Sequence, residues 1–135
     1  MVYTDIRTAF ETALYNLDSS FPTAWENVPF QEEDNVAHQE VRLVFNKPLN
    51  PTIPAGHRRE RGEFITILNY PSGKATSEIY NKAETIANLF KRGTVLIQGG
   101  LRIEINESPS VGSSVQGQDR YLLGIRVYFT CDVFE

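Results

Sequence analysis

Residues 121–133 read Tyr121-Leu122-Leu123-Gly124-Ile125-Arg126-Val127-Tyr128-Phe129-Thr130-Cys131-Asp132-Val133, and every second side chain from Tyr121 to Val133 is apolar. A period of two puts Tyr121, Leu123, Ile125, Val127, Phe129, Cys131 and Val133 on one face of a strand. Thirteen extended residues span roughly 40 Å at about 3.3 Å each. A strand of that length needs partners along both edges and a cover for its apolar face. The upstream sequence supplies candidates for each.

Two segments carry helical spacing. From Thr4 to about Asp18, Ile6, Phe10, Ala13, Leu14 and Leu17 gather into one stripe, with Thr4 as N-cap and Pro22 beyond the end. From about Ala75 to Lys91, Ile79, Ala83, Ile86 and Phe90 form a second stripe. Glu78 and Lys82 stand as an i,i+4 pair, and Lys91-Arg92-Gly93 is the stop signal. Strands are expected at Glu40–Phe45, Glu63–Tyr70, Thr94–Ile97 and Leu101–Asn106, and Gly99-Gly100 marks a tight turn or a bulge. Glu63–Tyr70 is almost continuously apolar, as a strand covered on both faces would be. Three prolines between Asn46 and Glu60 (Pro48, Pro51 and Pro54) predict a stiff arm over 47–61, and Ser108–Gln118 predicts a flexible loop. The fold class is therefore α+β: a mixed, mostly antiparallel β-sheet with two α-helices packed on one face, as one domain over 1–135.

Composition excludes several functions. The 135 residues carry 13 Lys and Arg against 17 Asp and Glu, a formal charge of −4, with one cysteine and two histidines. A dedicated nucleic-acid binder is normally basic, an internal disulfide needs a second cysteine, and the usual structural zinc sets need more ligands. No apolar run reaches the roughly 18–20 residues of a membrane span. His38 and His57 read as exposed loop histidines without a nucleophile motif, Cys131 as a buried hydrophobe, and no cofactor or metal is expected. Charge is patterned rather than dispersed. Arg58, Arg59 and Arg61 crowd one segment, while Glu32, Glu33 and Asp34 crowd another. Complementary patches on separate loops suit head-to-tail contacts between copies, which close into rings when the rotation permits.

Ala24-Trp25-Glu26-Asn27-Val28-Pro29-Phe30 follows the first helix. Arg61-Gly62-Glu63-Phe64-Ile65-Thr66-Ile67 leads to Tyr70-Pro71, and Phe90-Lys91-Arg92-Gly93-Thr94 closes the second helix. Gly99-Gly100, Ser108-Pro109-Ser110-Val111-Gly112 and Asp132-Val133-Phe134 continue the series. In this order the segments resemble the tail-terminator-like (minor tail protein U-like, tail-completion) proteins of long-tailed bacteriophages. The resemblance implies a structural virion protein and no enzyme. It implies a homohexameric ring that caps the head-proximal end of the tail tube, stops polymerisation and offers the head-tail joining surface. Implied partners are further copies of the chain, the tail tube protein and head-completion or neck proteins. No membrane or sequence-specific nucleic acid is implied, although DNA would pass through the lumen. The implied location is the virion tail, with assembly in the host cytoplasm. Trp25, Pro29, Phe30, Gly93, Gly99 and Gly100 are candidate fold-defining positions, with Trp25 and Phe30 mainly in the core. Another neck or tail-completion part, or a tube subunit, is the alternative reading. A small enzyme using His38 or His57 is the third.

Overall fold

The terminal strand is the axis of a seven-stranded sheet. In the computed structural model, which describes residues 1–51, 56–73, 76–117 and 119–134, it runs as β7 (Arg120–Phe134). Its period-two side chains from Leu123 to Val133 are all buried. Along one edge β7 pairs antiparallel with β3 (His57–Pro71) over the full length of both, from His57 opposite Phe134 to Pro71 opposite Arg120. β3 in turn pairs with β2 (His38–Phe45), and β2 with the two-residue β1 (Thr23–Ala24), the one parallel pair among the described residues. The other edge of β7 is shared. β6 (Ser110–Gln116) lies against its first half and β5 (Leu101–Glu104) against its second, with β4 (Val95–Gln98) outermost. The β4–β5 turn places Gly99 at φ 58° and Gly100 at φ 80°, a left-handed pair that L side chains adopt only with strain.

Two helices cover one face, α1 (Val2–Leu17) and α2 (Thr76–Leu89). Phe10 of α1 stacks on Phe64 of β3 at 4.9 Å and meets Phe90 and Phe129 at 5.5 and 5.2 Å. This aromatic knot joins both helical segments to the two central strands. Each fully buried side chain of this size contributes about 1.5–3 kcal/mol. The α+β class and the helices on one face are as the sequence predicts.

Several local expectations are corrected. Helix α1 begins at Val2 with Met1 at the N-cap position, so Thr4 lies inside it. Lys82 bonds Asp18 at 3.1 Å and lies over the Phe21 ring, instead of pairing with Glu78. Helix α2 ends at Leu89, before the Lys91-Arg92 stop signal. The expected Ser108–Gln118 loop contains strand β6, because backbone pairing to β7 overrides the poor strand propensity of Gly and Ser. The last third of the expected 47–61 arm is strand: β3 already starts at His57, and Leu49 pairs with Arg59. Pro54, Ala75 and Gln118 lie outside the described residues. Finally, β3 is covered on one face only. Phe64, Thr66 and Leu68 are buried under the helices, while Ile65 and Ile67 on the other face stay partly open.

Candidate functional site

The long β3–β7 ribbon has two chemically different ends. At the end where β3 starts, His57, Arg59 and Arg61 fall on one face of the strand and Arg58 on the other. Arg58 points with the core face: its Nε donates to Glu60 Oε2 at 2.9 Å, and the Tyr3 hydroxyl donates to the same oxygen at 2.7 Å. The bond to Glu60 holds the Tyr3 phenol above its ordinary pKa. Arg59, on the opposite face, donates from Nε to Asp132 Oδ1 at 2.8 Å and from Nη2 to Oδ2 at 3.4 Å. His57 Nε2 is 3.0 Å from the same Oδ1, and its ring stacks on Phe134 at 4.6 Å. The Arg59 hydrogen bond holds the Asp132 carboxyl below the usual range. Arg61 Nε donates to the Lys47 carbonyl at 3.1 Å. The three arginines thus form a strand-borne basic cluster, correcting the arm reading.

At the other end, the acidic segment folds back onto the start of β7. Arg120 pairs with Glu32 through Nε at 2.9 Å and donates to the carbonyls of Glu33 and Val36, both at 2.7 Å. Glu32 is therefore engaged within its own chain. Glu33 and Asp34 remain exposed, and Asp34 joins Glu32, Asn35, Ser72, Asp119 and Arg120 around an acidic concavity of about 670 Å³. Acidic and basic segments sit at opposite ends of one ribbon, and the structure does not bring them together.

The Trp25–Phe30 run seals a sheet edge. Gln39 N–H donates to Pro22 O at 3.0 Å, and Glu26 Oε1 accepts from Leu43 N–H at 3.0 Å, so the outer edge of β2 is capped where β1 stops. Arg7 of α1 holds Glu26 at 3.0 Å. Burial opposes ionisation of Glu26, but the Leu43 amide and Arg7 outweigh it, leaving the carboxyl below its ordinary pKa. Val28 N–H then closes a turn on Trp25 O with Asn27 at φ 61°. Trp25 packs against the core as expected. Pro29 is exposed, and so is Phe30, at 37%, lying over the His38 ring at 5.0 Å rather than in the core. Gly93, at φ 94°, donates to Ile105 O at 2.7 Å and fixes the exit from α2. Sequence reasoning missed Glu60 and Arg120, and quoted Glu26 within the Ala24–Phe30 series without its role as a cap. An acid inside a strand beside three arginines was the available signal for Glu60.

Neither histidine is an exposed loop residue. His38 is 3% exposed at the head of β2, and His57 is part-buried on β3. Burial pushes the Cys131 thiol up to about 11, which leaves it inert as a nucleophile. Among the described residues no cluster of three or more His, Cys, Asp or Glu is placed to hold a metal ion, and no helix is long and apolar enough to cross a membrane. On the face away from the helices, Ile65, Ile67, Val111, Val115 and Leu122 line a recess of about 410 Å³ over Gly112 and Gly124, with Arg126 at its rim.

A family model described as phage tail terminator protein matches residues 5–129. A solved structure superposes with a TM-score of 0.82 at 21% identity, covering 98% of this chain and 97% of its own. That likeness supports the fold alone. No curated protein matches the chain.

Proposed function

The chain belongs to the phage tail terminator protein family, whose members are structural parts of the phage tail, and from that premise we propose that it works as a ring. The ring caps the head-proximal end of the tail tube, halts addition of tube subunits, and offers its other face to the head-completion or neck proteins. It contains copies of this one chain, six by the family resemblance, and assembles in the host cytoplasm before joining the virion. The observation that carries this reading is the family match, which runs from α1 into β7.

The ribbon supports it physically. Opposite charges at opposite ends of one molecule favour heterologous contacts, and these generate rings when they close. Negative-stain microscopy of purified tail tubes, with and without the protein, tests the proposal. The expected outcome is tubes of capped length with a ring at one end. Tube length unaffected, with no ring at either end, overturns it. Unlimited growth of the protein by itself would instead identify a tube subunit.

A further inference from the structure

Gly112 and Gly124 face each other across β6 and β7; Gly112 stands where the register between these strands shifts, and no backbone demand explains Gly124. Neither has a positive φ. A Cβ added at Gly112 would meet nothing within 4 Å, and one at Gly124 would meet only Gly112 O, at an ordinary 3.6 Å. Strand interiors disfavour glycine, which packs nothing and orders at higher entropic cost. What the two glycines achieve is an empty floor. Ile65, Ile67, Val115 and Leu122 wall it, making an apolar recess on the sheet face that no helix covers.

The same face carries an apolar knob. Phe134 is 76% exposed at the far end of β7, propped by the His57 ring at 4.6 Å. It lies ten residues beyond Gly124 on one continuous strand, roughly 33 Å away at about 3.3 Å per residue. Knob and recess therefore cannot meet within one molecule. Their surroundings are complementary in charge. Arg59 and Arg61 share the knob's face of the ribbon with Lys47 beside Arg61, against the single acid Asp132 that Arg59 binds. Glu32, Glu33, Asp34 and Asp119 outnumber Arg120 at the end of β7 nearer the recess, whose own cation, Arg126, is paired with Glu63.

We infer that copies of this chain join head to tail, Phe134 of one copy seating in the Gly112–Gly124 recess of the next, basic end against acidic end. The occupant is a second copy because the complementary knob and charge are both found on this chain. The inference deepens the ring reading above and rests on it for closure, while the junction itself is tested directly.

The experiment is site-directed cross-linking of the full chain, with buried Cys131 left in place. A double variant, Gly124→Cys with Phe134→Cys, is oxidised with diamide, with each single variant as background. A ladder of linked copies ending in a closed species is expected, since a disulfide within one chain is out of reach. No linkage above the single variants, in solution or on tube ends, overturns the junction. Gly124→Val, which fills the recess, should keep or raise the melting temperature while weakening self-association at least tenfold. Phe134→Asp should weaken it similarly. Wild-type association by a folded Gly124→Val protein overturns the inference. Ring-capped tubes without the cross-link would leave the terminator reading standing and remove the junction. The cross-link with tube length unaffected would do the reverse.

Discussion

Glu60 is fully buried on a strand between two arginines, and Arg58 and the Tyr3 hydroxyl both donate to its Oε2. Two residues along, Gly62 is required by space. A Cβ there would collide with the Val44 carbonyl and press on the Phe129 ring, where β3 is paired with both β2 and β7. Gly62→Ala should cost about 3 kcal/mol, because backbone must shift to admit the methyl. A urea denaturation midpoint near wild type would contradict this. His38 offers a pH handle. Burial pushes its imidazole below the ordinary range, Arg120 adds to that, and Glu32 and Glu40 oppose it. The folded pKa is thus below the unfolded one, so the unfolded chain takes up the proton first. Stability contributed by the neutral ring is whole above about pH 6.5 and falls as pH drops towards the folded pKa. His38→Gln should flatten the stability profile below about pH 6.5. Profiles of equal slope would remove His38 as the cause.

Among elements, β1 and its following turn do more than their two paired residues suggest. They close the β2 edge with the Glu26 carboxylate, which takes the place of a strand partner for Leu43 N–H. Exposed edges invite unwanted pairing, and a side-chain cap removes one donor from offer. Glu26→Ala should cost about 1 kcal/mol and speed hydrogen exchange at the Leu43 amide. Unchanged exchange at Leu43 would show that another group caps it. The element scale also shows where sequence reading succeeds. β7 and both helical stripes were legible because their apolar spacing repeats over several turns or pleats. β6 was not, since Ser110–Gln116 has few side chains to bury and is held in place by the backbone of β7. The start of β3 was hidden for a related reason. His57 to Arg61 has no apolar alternation, yet pairing with Phe134 to Thr130 carries the strand through it. The basic and acidic clusters were legible as composition, but their partners were not. Arg120 and Asp132 are distant in sequence from what they bind.

At the scale of the whole molecule, the formal charge of −4 hides a separation of charge along the β3–β7 ribbon. A separated pair of unlike ends has direction, and direction distinguishes a ring from a two-fold dimer. In a two-fold dimer, one copy's knob and recess engage the partner's recess and knob, and growth stops at two. In a head-to-tail assembly each junction uses one knob and one recess, so every copy keeps one of each until the chain of contacts closes. Mixing two disabled variants makes that difference measurable. Phe134→Asp keeps a working recess and Gly124→Val keeps a working knob, so their equimolar mixture can form one junction per pair. Native mass spectrometry should find one-to-one complexes and nothing larger, while wild type at the same concentration proceeds beyond two copies. Raising ionic strength from about 0.1 to 1 M, which shortens the screening length from about 10 to 3 Å, should weaken the junction in both. Wild type halting at two copies would establish a two-fold contact instead, and larger mixed assemblies would show that copies join through a surface other than Phe134 and the glycine-floored recess.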